Sequence, residues 1–523
     1  MFFHPYFCNI LASVSKKYLF FCQKYLTTPP KYAAGFSDMH LVTKSGPLLY
    51  KVSFQIQYNK GGIFMFNSFS WQSHNEYHIN FKNFKAKLSS DLRVLLWNNY
   101  SEERHKLMSL NLDPVGGYLS QFYSATGRPA LHQAQILRSL ILFAFLFNRT
   151  DARLSLTVWV REVFPSNPVL TALAGCRCVD DLPPLGSYYD FMNRLWNASC
   201  DNYSRTCLLT KNMNGKKPKK VIGPDGKLIE PEPDTYATRD MVERIFHGES
   251  LSNGKQDILQ TVFSLAAVLP SIINGLIPLK ELTVSGDGTA VKAHANPFGR
   301  NPQLSLEVPL LLNFTSAKRH DSINFLFAID AFGKQGTGLS PKNLCLDSAH
   351  DNIATYKLLD HWDINALIDI NKRGGSSDGL PDDISLDKDA HPLCQAGLRM
   401  CSWGYDKNKD AQKFRCPLAC NRVKECPCSL ECRKSSYGRT VYIKNSSDLR
   451  LHPRIPRDSE QYKTIYSERS ACERMNDSVL NNYHLQDLKI RGDDHFSFWT
   501  MIIGICIHLD AWYKMSSMSK QTA

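Results

Sequence analysis

Apolar positions follow a helical pattern in the first half of this chain. Between Gly127 and Trp196 they recur at helical spacing, and Pro129 suits the first turn of a helix. This part is therefore predicted to be a compact helical module. Within it, shorter helices are expected at Leu154–Val163, Val169–Ala174 and Tyr188–Leu195.

From Glu281 onward the pattern changes to short apolar runs that alternate with helical segments. The apolar helix Ile258–Leu282 leads into this region. Three early strands followed by strand–helix alternation predict an α/β fold, with a mixed sheet and helices packed on it. Strands are predicted at Leu282–Asp287, Val308–Phe314, Asn324–Asp330, Asn343–Asp347 and Asn365–Asn371, and a helix at Ile353–Trp362.

The last part of the chain combines a long insertion with two helices. The insertion runs from Lys372 to Arg457, and a strong helix is predicted at about Ser459–Leu480. The apolar segment Phe496–Trp512 contains a histidine and an aspartate. It is too short and too interrupted for a membrane span, so a buried helix is predicted.

The net charge of the chain indicates a class of binding partner. The 523 residues carry a formal net charge of +13, with 43% hydrophobic and 21% charged residues. The excess of cations favours a polyanionic partner, most simply nucleic acid, although solubility alone would also account for it. The helical module could then be a plain core or a DNA-binding domain. Five lysines in Lys211–Lys220 indicate a flexible linker or a contact with phosphates.

Residues 1–64 differ from the rest of the chain. They are aromatic and apolar, but lysines interrupt them, and the basic residues follow the apolar ones, unlike in a signal peptide. Lys60–Met65 can be encoded by a purine-rich ribosome-binding site, a spacer and a start codon. Met65 is therefore the predicted start, and 1–64 is translated upstream DNA or disordered. Mass spectrometry of the native N-terminus tests this.

Seven of the 16 cysteines lie between Cys394 and Cys432. Such a local cluster indicates a metal more than a disulfide framework. We predict a structural Zn²⁺ site from Cys416, Cys420, Cys426 and Cys432, with Cys394 or Cys428 as substitutes. The alternative is a set of free thiols, which would include Cys401. Basic residues around the cluster suit an insertion that grips DNA or supports the sheet: Arg415, Arg422, Lys424, Arg433 and Lys434.

Three acids carry the candidate chemistry. Asp287 and Asp347 end predicted strands, and Glu473 lies in the last strong helix. Tyr466 and Arg469 precede Glu473 by seven and four residues, so one helical face presents all three. His350 and Asp351 follow Asp347 by about one turn; they could support a metal site or cap a helix.

These residues resemble the DDE-type transposases of bacterial insertion sequences, in the group with a Tyr-x2-Arg-x3-Glu motif. Asp287 in GDGT, Asp347 in LDSAHD and Glu473 in YSERSACER match the three acids in order. The resemblance spans roughly 127–512. It departs from the family at Leu480, where a lysine is frequent. The missing phosphate contact could come from Lys489 or Arg491.

The resemblance implies an RNase H-like catalytic core behind an N-terminal helical domain. It also implies two-metal phosphoryl transfer on DNA, with Mg²⁺ or Mn²⁺ held by the three acids and with Arg469 and Tyr466 contacting the DNA. The implied partners are terminal inverted repeats, target DNA and a second copy of the chain, in the bacterial cytoplasm at the nucleoid. Two alternatives stay open: an RNase H-like endonuclease without strand transfer, or an inactive transposase-derived DNA-binding protein.

On this interpretation the chain divides into six parts. They are the upstream or disordered segment 1–64, a helical DNA-binding domain 65–202, a basic linker and helix 203–280, the first part of the catalytic core 281–371, the Cys-rich insertion 372–457, and the final helices of the core 458–523.

Overall fold

A five-stranded mixed sheet organises the part of the chain that carries the three acids. The structure is a computed structural model and describes residues 6–12, 69–123, 129–147, 155–197, 238–249, 251, 257–279, 281–291, 307–316, 320–371, 384–387, 391–406, 408–409, 411–427, 435–444, 449–488 and 493–521. The sheet contains β1 (Tyr6–Ala12), β2 (Leu282–Val291), β3 (Pro309–Ser316), β4 (Pro341–Leu346) and β5 (Asn365–Ile368), in the order β3-β1-β2-β4-β5.

Strand direction changes in the middle of this sheet. β1 runs antiparallel to both β2 and β3, whereas β2, β4 and β5 are parallel to one another. The carboxyl ends of β2, β4 and β5 therefore meet at one edge. The predicted mixed α/β architecture is observed, and the strands expected near 282, 308, 343 and 365 are confirmed.

The prediction of a strand at Asn324–Asp330 is wrong. These residues belong to the helix Asp321–Lys334, whose N-terminus is capped by the side chain of His320. Phe325, Ile329 and Phe332 are buried at helical spacing. A short apolar run fits a buried helix as well as a strand, and only the longer periodicity separates them.

The middle position of the antiparallel half is held by β1, which comes from the segment predicted to be upstream or disordered. Ile10 is the backbone partner of Asp287 on one side and of Leu312 on the other. The structure thus describes Tyr6–Ala12 as a paired strand, and the assignment of 1–64 as upstream or disordered stays a prediction. The start at Met65 stays a prediction, and a chain that begins there would lack this strand.

Helices precede the sheet, and those predicted between 127 and 196 are confirmed where the structure describes them. The central one, Gln133–Leu146, is buried on almost its whole surface. The others are His74–Lys87, Ser90–Asn98, Ser101–Ser109, Asp113–Leu119, a helical stretch over 156–166, Pro168–Ala174, Leu185–Asn197, Thr238–Phe246 and Asp257–Phe263, the last continuing through a π turn to Ile273.

The C-terminal helix Asp493–Gln521 joins the helical module to the sheet. It contacts β3 and the helix Gln133–Leu146. Its segment His495–Met518 is long and apolar enough to cross a membrane, but 83% of its most apolar window is buried inside the fold. That burial is typical of a core helix, which confirms the predicted buried helix.

The insertion forms a small β subdomain. Its strands are β6 (Ser385–Leu386), β7 (Pro392–Leu393), β8 (Cys401–Asp406), β9 (Ala411–Arg415) and β10 (Thr440–Lys444). Arg450 at its end donates to the fully buried carboxylate of Asp351 over 2.9 and 2.7 Å. Arg457 donates to the Ile368 carbonyl and the Tyr356 hydroxyl. Arginine side chains therefore attach the insertion to the main sheet.

A buried histidine makes stability depend on pH. His508 Nε2 donates to the Pro309 carbonyl over 2.7 Å, and Nδ1 lies 2.6 Å from the Ser271 hydroxyl. Burial lowers the pKa of His508 to about 4. The unfolded chain, with a pKa near 6.5, takes up a proton that the folded chain excludes. Stability is therefore full above pH 6.5 and declines towards pH 4, by about 3 kcal/mol for this residue.

The variant His508→Asn tests this prediction. It should unfold at a lower temperature at pH 7.5, because the ring contacts are lost. Its unfolding midpoint should then fall less steeply between pH 6.5 and 4 than that of the unaltered chain. Parallel curves for the two proteins would contradict the assignment, and circular dichroism at each pH supplies the measurement.

Candidate active site

Asp347 directly follows β4, as predicted, but the prediction that Asp287 ends its strand is wrong: Asp287 lies inside β2, which continues to Val291 and pairs with β1 over that length. The pairing of β2 with β4 ends at Ser285 and Cys345. Each aspartate is two residues further on, and side chains two residues apart point to the same face of a strand. The backbone of Asp347 is still extended, with φ −79° and ψ 175°. Strand pairing therefore directs both carboxylates to one side.

The carboxylate of Asp347 is fixed by the turn that follows it. Its Oδ1 accepts a hydrogen bond from the Ala349 backbone over 3.1 Å and lies 2.7 Å from Nδ1 of the buried His350. The hydrogen bond from His350 lowers the pKa of Asp347 and outweighs the opposing effect of burial. Asp347 is thus held as an oriented carboxylate that is still 39% exposed.

Of the two alternatives for His350 and Asp351, the structure assigns each residue a different role. His350 supports Asp347 directly, as described above. Asp351 instead faces Arg450 and accepts from the Asn371 backbone over 2.6 Å, away from solvent. It anchors the insertion.

The third acid arrives on a helix that crosses the ends of β2 and β4. This helix runs through Glu460–Tyr466, a tightened turn Ser467–Arg469, and Ser470–Asp477. The Tyr466 hydroxyl donates to the Leu346 carbonyl over 3.2 Å, and Asn476 Nδ2 donates to Asp287 Oδ2 over 3.2 Å. Glu473 precedes Asn476 by three residues and so shares its face of the helix.

Arg469 links the three acids. Its Nη2 lies 2.6 Å from Glu473 Oε1, and its charge acts on Asp287 and helps to lower the pKa of Asp347. Burial disfavours the charged guanidinium, yet Tyr466, Glu473 and Asp287 outweigh burial and raise the pKa of Arg469. One cation therefore interacts with all three carboxyl groups.

The other predicted DNA contacts have different outcomes. Burial raises the pKa of the Tyr466 hydroxyl, which supports the end of β4. Lys489 and Arg491 lie outside the described residues.

Within the described part of the chain, no three His, Cys, Asp or Glu side chains are placed so that they could jointly hold a metal ion as they stand. Glu473 is paired with Arg469 instead.

The cysteine cluster is only partly described. Cys416 is buried at the end of β9, and Cys420 and Cys426 are partly exposed. Cys401 on β8 lies within hydrogen-bonding reach of Cys420; burial, then this contact, raises its pKa to about 11. Cys428 and Cys432 lie outside the described residues. The described cysteines of the cluster are not placed so that three of them could hold one metal ion as they stand, and the predicted zinc site stays a prediction. The spacing of the cysteines in the sequence did not indicate that Cys401 lies near Cys420, because the pairing of β8 with β9 brings Cys401 close.

Two supporting residues were also not singled out from the sequence. Asn476 donates to Asp287, and its position three residues after Glu473 was the available signal. Arg474 pairs with Glu307, over 3.0 Å between Nε and Oε2, and donates to Ser470 over 2.7 Å. Together they hold the Glu473 helix against the edge of the sheet.

Comparison with known proteins gives one match. Residues 393–510 match the family model for the transposase DDE domain. The matched part contains Glu473, Arg469 and most of the insertion, and it begins after both aspartates. No curated protein and no solved structure gives a significant match. The match supports a DDE-type transposase.

Proposed function

We propose that this protein is a DNA transposase that cleaves the ends of its insertion sequence and joins them to target DNA. The observation that carries this proposal is the meeting of Asp287 and Asp347 on adjacent parallel strands beneath the helix of Glu473. In an RNase H-like fold the central sheet brings acids together in this way. The match of residues 393–510 to the transposase DDE domain also supports the proposal.

The donor set fits a hard divalent cation. All three candidate ligands offer carboxylate oxygens, which suit Mg²⁺, with Mn²⁺ as a substitute. Asp287, Asp347 and Glu473 would hold the metal. When bound, it activates a water or 3′-hydroxyl and stabilises the leaving oxygen. Because His350 and Ala349 both bind Oδ1 of Asp347, the other oxygen can face the cation.

Arg469 determines when Glu473 becomes available. Its guanidinium pairs with Glu473 and its positive charge acts on the two aspartates. A DNA phosphate suits the forked guanidinium as well as a carboxylate does. Binding of the DNA would transfer Arg469 to a phosphate and free Glu473 to turn towards the aspartates.

The remaining assignments follow from the same proposal. The partners are terminal inverted repeats and target DNA, consistent with the net charge of +13. The chain acts as a dimer on paired ends, in the bacterial cytoplasm at the nucleoid. The cysteine cluster holds a structural Zn²⁺, for which Cys401 now joins Cys416, Cys420, Cys426 and Cys432 as a candidate ligand. Measurement of the zinc content of the purified chain tests this assignment.

A strand-transfer assay separates the three functions. The full chain is incubated with Mg²⁺, labelled DNA ends that carry the inverted repeats flanking the gene, and a target plasmid. A transposase gives cleaved ends and joined products, whereas an endonuclease gives cleavage alone. An inactive derivative binds without cutting. Leu480, which replaces a frequent phosphate-contacting lysine, is the observation that favours this last alternative.

Asn476→Ala should reduce the rate of cleavage by about ten- to a hundredfold, because Asp287 loses the donor that orients it. The matched control is Asn481→Ala, at an exposed asparagine on the same helical segment that donates to Asp477. Single-turnover cleavage supplies the rate, and thermal unfolding checks the fold. Equal rates for the two variants would show that Asn476 does not position Asp287.

A further inference from the structure

The three-stranded sheet of the insertion has two different faces. On the inner face Phe414 of β9 and Val441 and Ile443 of β10 are buried and pack with Ile384 and Met400. Residues alternate between faces along a strand, so the neighbours of these apolar residues point outward. This outer face has no part in the candidate active site.

Aromatic and basic side chains share the outer face. Lys413 of β9 is the direct partner of Tyr442 of β10, and Arg415 lies two residues further along the same face. Trp403 of β8 and Tyr437, which precedes β10, complete the group. Trp403 is 49% exposed and Tyr437 is 41% exposed.

Contacts between cations and rings hold this face in order. The Arg415 guanidinium lies 4.0 Å from the Trp403 ring centre and 3.5 Å from that of Tyr437. It is itself buried and donates to the Tyr437 carbonyl over 2.6 Å. Lys409 lies 3.8 Å from the Tyr442 ring centre, and Lys413 lies 4.7 Å from that of Tyr437. The Arg415 guanidinium therefore contacts the rings of both Trp403 and Tyr437, whereas Lys409 and Lys413 lie at the surface.

This combination suits one class of ligand. The rings of Trp403 and Tyr437 are nearly perpendicular, at 83° with 6.4 Å between their centres, and Arg415 lies against one face of each. Their exposed parts can stack on nucleic-acid bases, and nearby lysines neutralise phosphates. Duplex DNA hides the faces of its bases inside its own stack, whereas a single strand exposes them. A protein partner would need apolar surface more than surface lysines. The outer face therefore matches an unpaired strand.

We propose that the outer face of β8–β10 binds single-stranded DNA, with bases stacked on Trp403, Tyr437 and Tyr442 and phosphates close to Lys409 and Lys413. This inference rests on the proposed function only in taking DNA as the partner. Arg415 is a positioning residue that keeps Trp403 and Tyr437 apart. The surface would hold strands that become unpaired near the site of cleavage.

Fluorescence anisotropy with a labelled oligothymidine of about fifteen nucleotides tests the proposal, with the full chain in a buffer that contains no Mg²⁺, Mn²⁺ or chelator, so that a structural Zn²⁺ is retained. Trp403→Ala should weaken binding by about five- to fiftyfold, and Trp403→Phe should restore most of the loss, because any ring can stack. The control is Phe246→Ala. Phe246 is 40% exposed on the helix Thr238–Phe246, with its ring centre 4.9 Å from that of His361, so it offers an exposed ring outside both the insertion and the predicted DNA-binding domain.

A second variant tests the proposed phosphate contact and leaves the Trp403 ring unchanged. Lys413→Gln should lower the slope of log affinity against log salt by about 0.7, the value for one phosphate contact on a single strand. An unchanged affinity for Trp403→Ala, an equal loss for Phe246→Ala, or equal competition by a duplex of the same length would each overturn the proposal. An unchanged salt slope would do so too.

The two proposals fail in different ways. Because the binding buffer contains no Mg²⁺ or Mn²⁺, oligothymidine binding does not require a working active site. If the chain binds single strands through Trp403 but never cleaves DNA, the transposase proposal fails alone. If it cleaves and joins DNA while Trp403→Ala binds normally, this inference fails alone.

Discussion

Asp287→Asn should reduce Mg²⁺-dependent cleavage of DNA ends by about a thousandfold or more, which corresponds to about 4 kcal/mol of activation free energy. The substitution keeps the shape of the side chain and its place beside Asn476, but it removes a negative charge that a divalent cation requires. Affinity for the DNA should change little, because Asp287 makes no attractive contact with phosphates. Gel-shift and single-turnover cleavage assays measure the two quantities.

The control is Asp487→Asn. Asp487 is a surface aspartate 2.7 Å from His484, away from the strand ends, and its loss should leave cleavage unchanged. Asp347→Asn and Glu473→Gln should match the loss seen for Asp287→Asn, because the three acids act as one unit. Full cleavage by any of these three variants would remove that acid from the proposed site.

Gly504→Val should destabilise the fold by about 3 kcal/mol or more. Gly504 lies in the C-terminal helix where it crosses the sheet. A Cβ at this position would lie 2.8 Å from the ring of Phe263 and closer still to the Leu312 side chain of β3. Valine adds two further methyl groups to a site that already lacks room for one. Thermal and urea unfolding would show a large loss, or the chain would fail to accumulate in soluble form.

Gly333→Val provides the matched comparison. Gly333 also lies within a helix, but a Cβ there would meet nothing within 4 Å. Valine should be tolerated within about 0.5 kcal/mol, because its helix propensity slightly exceeds that of glycine. Similar stabilities for the two valine variants would show that the C-terminal helix does not pack on β3 as closely as described.

Several parts of the candidate site follow from local sequence. Hydrophobic runs ending in Asp287 and Asp347 predicted two strands with acids at their tips. Both strands are present, and Asp347 directly follows its strand, but Asp287 lies inside β2. Spacing along the last helix placed Tyr466, Arg469 and Glu473 on one face. These inferences succeed because periodicity and strand ends depend on neighbouring residues, so a single chain contains the information.

Other parts depended on contacts between distant residues. The Asn324–Asp330 run fits two secondary structures, and packing selected the helix. The central place of β1 requires pairing across more than 270 residues with β2. The pairing of Arg469 with Glu473 is local, but the action of the Arg469 charge on Asp287 and Asp347 depends on the sheet that brings the aspartates near. Spacing also gave no indication that Cys401 would lie beside Cys420.

By itself, then, the sequence predicted the acids and their order and determined the strands and the helix that carry them, because residue type and short-range periodicity specify a strand or a helix face. Only the tertiary structure decided that β2 and β4 are parallel neighbours, that Asn476 bridges to Asp287, and that aromatic and basic residues share one face of the insertion. Those juxtapositions come from strand pairing and burial between residues far apart in the chain, and no local pattern encodes which partners meet.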